Sequence, residues 1–159
     1  TCADLPLSEP FDHAVEMHRN IMNADLAKSL AGYYERGKDE LTDTLCEMIE
    51  LGQKVSAVDY NNAVDGREVL NSGLNDVFDD YDIIITPATT GEAPAGLDST
   101  GNPVFNSLWT YCGTPSITLP LMEGPSGLPL GVQVVGPRGD DARLLRNANW
   151  LMQRIMGTG

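Results

Sequence analysis

A chain of 159 residues with 42% apolar content can bury one real core, and a formal charge of −13 repels phosphate backbones and anionic bilayers, which sets aside nucleic acids and membrane surfaces as partners. Three cysteines, Cys2, Cys46 and Cys112, are odd in number and form no CxxC pair; this argues against a disulfide framework and a zinc site and for a reducing compartment. No apolar run approaches the length of a membrane span and no leader opens the chain, so a soluble, cytoplasmic protein is expected, with Thr1 reading as a processed or truncated start.

From Ser8 to Leu51 apolar residues recur at spacings of three and four, as in Val15, His18, Met22, Leu26 and Leu30, then Leu41, Leu45, Met48 and Ile49. Two helices are expected, broken near Gly37, the second capped by Asp39 or Thr42 and ended by Gly52. Ser56-Ala57-Val58-Asp59 resembles a capping box and opens a third, longer helix. The period changes at Asp79-Asp80-Tyr81-Asp82, where a strand, Ile83-Ile84-Ile85, runs to Pro87. Residues 88–103, rich in Gly, Pro, Thr and Ala, read as a long irregular loop, and such loops in compact domains usually serve a site. A short helix over 105–112 should end at Gly113. Strands at 116–119 and 130–135 flank the turn Gly124-Pro125-Ser126-Gly127 and are expected to pair antiparallel. A last helix begins at Asp140 or Asp141 and carries Leu144, Leu145, Ala148, Leu151, Met152 and Ile155 on one face. The unalternating β-branched runs predict strands buried on both faces of a helix-covered sheet. Acidity is concentrated in front: residues 1–98 hold 20 acidic and 6 basic side chains, residues 99–159 hold 3 and 4. A solvated helix surface accounts for it.

Self-contained active-site motifs are missing: there is no GxSxG elbow, no GxGxxG, no Walker A loop and no HExxH. His13 and His18 lie five apart, about 140° around a helix, and cannot share a metal as an i, i+4 pair would. Neither sits near a serine suited to a Ser–His–Asp triad. Thr1 could act as an N-terminal nucleophile, but the polar segment and Pro6 behind it favour an ordinary chain end. Cys112 falls at a helix C-terminus, whose partial negative charge raises a thiol pKa, so core packing is expected of it. Asp79, Asp80 and Asp82 are read as a surface junction in preference to a cation site. No metal and no cofactor are expected.

Five ordered blocks nonetheless resemble the C-terminal part of amidase-signature hydrolases. They are Asp82-Ile83-Ile84-Ile85-Thr86-Pro87, then Phe105 eight residues ahead of Gly113-Thr114-Pro115, then Ile117 with Pro120, then Gly127-Leu128-Pro129-Leu130-Gly131-Val132-Gln133, then Asp141 with Leu144-Leu145. The resemblance implies an α/β fold, a mixed β-sheet flanked by helices, in a single segment of an amidase domain: 1–80 mainly helical, 81–137 strands and loops, 140–156 the terminal helix. Family members hydrolyse amides with a Ser, a second Ser and a Lys carried by a Gly/Ser-rich signature, and that signature is not in this chain, whose lysines are Lys28, Lys38 and Lys54. The resemblance therefore implies a segment that supplies sheet and one wall of the substrate pocket, without catalytic residues of its own. Phe105, Asn106, Trp109 and Thr110 are the candidate substrate-binding residues, with Phe105 and Trp109 equally readable as core. Many relatives carry Asn at the position of Thr110 and an acidic residue at that of Pro103, so a substrate with an amino group is disfavoured. Gln133 is expected to be structural, bonding the loop backbone. Implied partners are the upstream catalytic part of the same enzyme, a small-molecule amide and, through exposed apolar surface, further copies of the chain. The competing interpretation is a stand-alone binding or interaction module on an amidase-like scaffold.

Overall fold

The structure is a computed structural model in which residues 2–157 are described, so Thr1 and any chemistry at it lie outside the described residues. The chain divides into two compact units, residues 1–69 and 70–159.

The first unit is helical. A single 3₁₀ turn, Glu9–His13, leads into helix α1 (Ala14–Gly37); a second, Lys38–Glu40, precedes α2 (Asp43–Gly52). The Thr42 hydroxyl, not Asp39, caps α2, accepting from the Leu45 amide at 3.3 Å. Helices α1 and α2 pack closely because Gly52 has no side chain: a Cβ there would overlap the Asn23 carbonyl and press on Ala27. Ile49, one turn earlier, is wholly buried. Tyr34 and Lys38 both donate to one Glu50 oxygen at 2.6 Å, joining the end of α1 to α2. Helix α3 (Ala57–Asp80), whose residues from Leu70 on belong to the second unit, starts on the expected box: Ser56 Oγ accepts from the Asp59 amide at 3.0 Å and donates to its carboxylate at 2.7 Å. The Tyr60 hydroxyl then donates to Asp25 of α1 at 3.0 Å.

The second unit contains strand β1 (Ile84–Pro87), helix α4 (Val104–Cys112), strands β2 (Ser116–Glu123) and β3 (Pro129–Val135), and helix α5 (Asp141–Met156). It has the α/β character expected of the chain. The three strands form a sheet of order β1-β3-β2, antiparallel at both pairings, with Thr86 opposite Gln133 and Gln133 opposite Thr118. A register shift between Leu119 and Met122 accommodates Pro120, which has no amide to give to the ladder. Helix α5, capped by Asp140 through the Arg143 amide at 3.0 Å, covers one face. Leu144 and Ala148 meet Leu119 and Val134 there, with Ile117, Leu151 and Met152 around them.

Burial departs from the expectation of strands enclosed on both sides. Only the second half of β3 is fully buried; β1 and most of β2 alternate, and Ile85 is 49% exposed. The physical reason is reach, since α5 packs mainly on β2 and β3. Of the three aspartates at the helix-to-strand junction, Asp82 is engaged, pairing with Arg143 at 3.2 Å, while the same guanidinium donates to the Phe78 and Tyr81 carbonyls at the end of α3. A cation in that place satisfies carbonyls that the helix leaves without partners.

Candidate functional site

Between β1 and α4 the chain takes no regular structure over residues 88–103, as its composition suggested. Two fixtures hold its first part. The Ala88 amide donates to the Gly131 carbonyl of β3 at 3.1 Å, continuing the ladder one step beyond Pro87. Glu92 accepts from the backbone amides of Ser126 and Leu128, at 2.8 and 3.1 Å, on the turn between β2 and β3. Burial works to raise the pKa of this carboxyl, but hydrogen bonds from Ser126 and Leu128 outweigh it and leave the pKa below the ordinary value. Gly124 makes room: a Cβ on it would overlap the Glu92 side chain. The strand-to-strand turn thus doubles as a receptor for the loop.

Helix α4 ends on Gly113, whose φ of 69° is the left-handed conformation that a glycine adopts without strain. Its two faces divide the four candidate residues. Trp109 is buried and Phe105 half-buried, one turn apart on the inward stripe; Asn106 and Thr110 form the neighbouring, exposed stripe. Cys112 is wholly buried, consistent with packing.

Asn106 is the candidate most firmly built into its surroundings. Gln133, 3% exposed in the middle of β3, donates through Nε2 to Asn106 Oδ1 at 2.8 Å and to Ser116 Oγ at 3.3 Å, and its Oε1 accepts from Thr86 Oγ1 at 3.3 Å. The expectation that Gln133 bonds the loop backbone is corrected by these contacts, which go to three side chains. Asn106 makes the contact with the loop instead, donating from Nδ2 to the Ala88 carbonyl at 3.4 Å. Thr86, Ser116 and Gln133 were legible only as members of strand blocks; each lies on the sheet face turned away from α5, as the two-residue period and the register dictate.

On the other face an apolar groove of about 360 Å³ runs between Ile85 and Pro87 of β1, Met122 of β2, Leu130 and Val132 of β3, and Thr89 of the loop. Among the described residues no three His, Cys, Asp or Glu side chains converge as a metal site would require. His13 is exposed; His18 is half-buried in α1, and burial, reinforced by the Arg67 charge, lowers its pKa. The second unit presents oriented amide and hydroxyl groups on one sheet face and an apolar wall on the other. Among the described residues no helix is long and apolar enough to cross a membrane.

The family model described as Amidase matches residues 8–145. Among curated proteins, a glutamyl-tRNA(Gln) amidotransferase subunit of Salinibacter ruber is 32% identical over 148 residues, covering 87% of this chain and 24% of its own. A 2-amino-5-chloromuconic acid deaminase of Comamonas testosteroni is 23% identical over 135 residues, covering 77% of this chain and 29% of its own. Among solved structures, a crystal structure of an amidase superposes with a TM-score of 0.80 at 23% identity, over 94% of this chain and 37% of that one. The structure of a 6-aminohexanoate cyclic dimer hydrolase does so with a TM-score of 0.73 at 20% identity, over 96% and 37%. At such identities the two structures speak for the fold alone. The chain spans about a quarter of the length of these curated relatives.

Proposed function

This chain belongs to the amidase family, and we propose that it is the C-terminal segment of a hydrolase of carbon–nitrogen amide bonds, in which it supplies part of the sheet and one wall of the substrate pocket. The observation that carries this reading is the family match over residues 8–145 in a chain whose sequence holds no Gly/Ser-rich signature. Nucleophile, bridging serine and lysine base would come from the preceding part of the same enzyme. The segment by itself would be inactive toward amides.

Within the pocket wall, Phe105 and Trp109 would shape an apolar surface while Asn106 and Thr110 face a small, neutral amide substrate. Exposed apolar groups support a surface that is covered in the whole protein: Ile85 is 49%, Met122 57% and Trp150 56% exposed. A surface of this kind also favours self-association of the isolated chain. The working compartment would be the cytoplasm.

Two measurements test the proposal. The purified 159-residue chain is expected to show no amide turnover and no serine labelling by a fluorophosphonate; turnover with labelling would overturn it. An intact mass of the natural polypeptide is expected to be well above 17.2 kDa. A native product near that mass would favour the binding-module reading instead.

A further inference from the structure

Resting on the amidase reading, we infer that Asn106 contacts the substrate as a hydrogen-bond donor to an amide carbonyl oxygen, and that Gln133 is the positioning residue that turns its amide group that way. A primary amide can face a neighbour with either its oxygen or its nitrogen, and an exposed asparagine at a helix start has nothing of its own to choose between them. Here two fixed neighbours, the Ala88 carbonyl and Gln133, make the choice together. Gln133 is buried, its two N–H groups engaged by Asn106 and Ser116 and its Oε1 beside the Thr86 hydroxyl, whose one proton is shared with the Pro87 carbonyl at 2.9 Å. The Ala88 carbonyl can only accept, so Asn106 turns Nδ2 toward it and Oδ1 inward, where Gln133 meets the oxygen with Nε2 and holds it. Its Nδ2 is left on the outer side, where one N–H reaches the Ala88 carbonyl at 3.4 Å and the other meets no acceptor among the described residues. A held, outward N–H donor beside the irregular loop suits a neutral acceptor such as an amide carbonyl. It does not suit an ammonium group, which brings only donors.

The test uses the whole natural polypeptide with butyramide as probe, followed by hydrolysis and, separately, by the shift of the Asn106 side-chain amide signals in ¹⁵N-resolved spectra during titration. Asn106→Asp keeps the inward oxygen for Gln133 and removes the outward donor; a fall in kcat/KM of about tenfold or more is expected, with the thermal midpoint nearly unchanged. Gln133→Met keeps the volume and releases the orientation; it should raise KM by about fivefold, with kcat little altered. If Asn106→Asp hydrolyses butyramide within about twofold of the parent, the inference is overturned while the amidase reading stands. If the parent binds butyramide through the Asn106 amide but hydrolyses nothing, the amidase reading fails and the inference holds. Neither binding nor hydrolysis by the parent overturns both.

Discussion

In residues 1–69 the contacts that set helix starts close over three positions, Thr42 to Leu45 and Ser56 to Asp59, and those between helices over 16 and 35, Tyr34 to Glu50 and Tyr60 to Asp25. In residues 70–159 most side-chain contacts between elements close over longer stretches. Thr86 reaches Gln133 across 47 positions, Glu92 reaches Ser126 across 34, and Arg143 reaches Phe78 across 65. The helical unit is thus assembled from local caps plus a few contacts between helices, while the sheet unit depends on partners that sequence proximity does not announce. Long-range closure costs more chain entropy before it is rewarded, so the second unit is expected to order later in folding.

The comparison can be broken at its strongest points. Gly52→Val should have the largest effect, because the new side chain meets backbone at Asn23 and cannot be relieved by rotating a neighbour; a loss of more than about 3 kcal/mol is expected in denaturant unfolding, with amide protection falling in α1 and α2. Leu144→Ala comes next, at about 3 kcal/mol, since it opens a cavity where α5 meets Leu119 and Val134, and protection should fall in β2 and β3. A midpoint unchanged by either substitution would contradict the packing described.

Smaller effects sharpen it. The folded pKa of Glu92 lies below its ordinary value of 4.5, so the Glu92 contribution is present above that pH and is lost as the pH falls through the lower, folded value. Acidification from pH 6 to below 4.5, or Glu92→Ala at neutral pH, should lower the protection factors of the Ser126 and Leu128 amides a few-fold, each rate being referred to the intrinsic exchange rate at that pH; equal protection in parent and variant would remove Glu92 as the loop's fixture. His18 gives the shallowest slope. Its folded pKa lies below 6.5, so the unfolded chain binds more protons as the pH drops past that value and the helical unit loses stability there. His18→Gln should flatten thermal stability between pH 7.5 and 5.5.

The same division explains what could be read in advance. The Thr42, Ser56 and Asp140 caps, the Gly113 terminator and the antiparallel pairing of β2 with β3 each depend on a few adjacent residues, and each was legible. An apolar run such as Ile83-Ile84-Ile85 says that a strand forms but not which neighbour covers it, so the exposure of Ile85 was missed. Gln133 was placed correctly on a buried strand, yet its three partners come from β1, α4 and β2, and no spacing in the sequence brings them together. Glu92 gave no signal at all, being one acidic residue in a flexible-looking stretch.

The Glu92 fixture also divides the long connection into a tethered base and a remote tip. Residues 93–100 are all exposed, and Leu97 is fully so. Because the anchoring contacts lie before this tip and α4 begins after it, additional chain placed beside Leu97 would load neither. That position is a natural graft point for an epitope or a fluorescent reporter, one that leaves Asn106 and its supports in place.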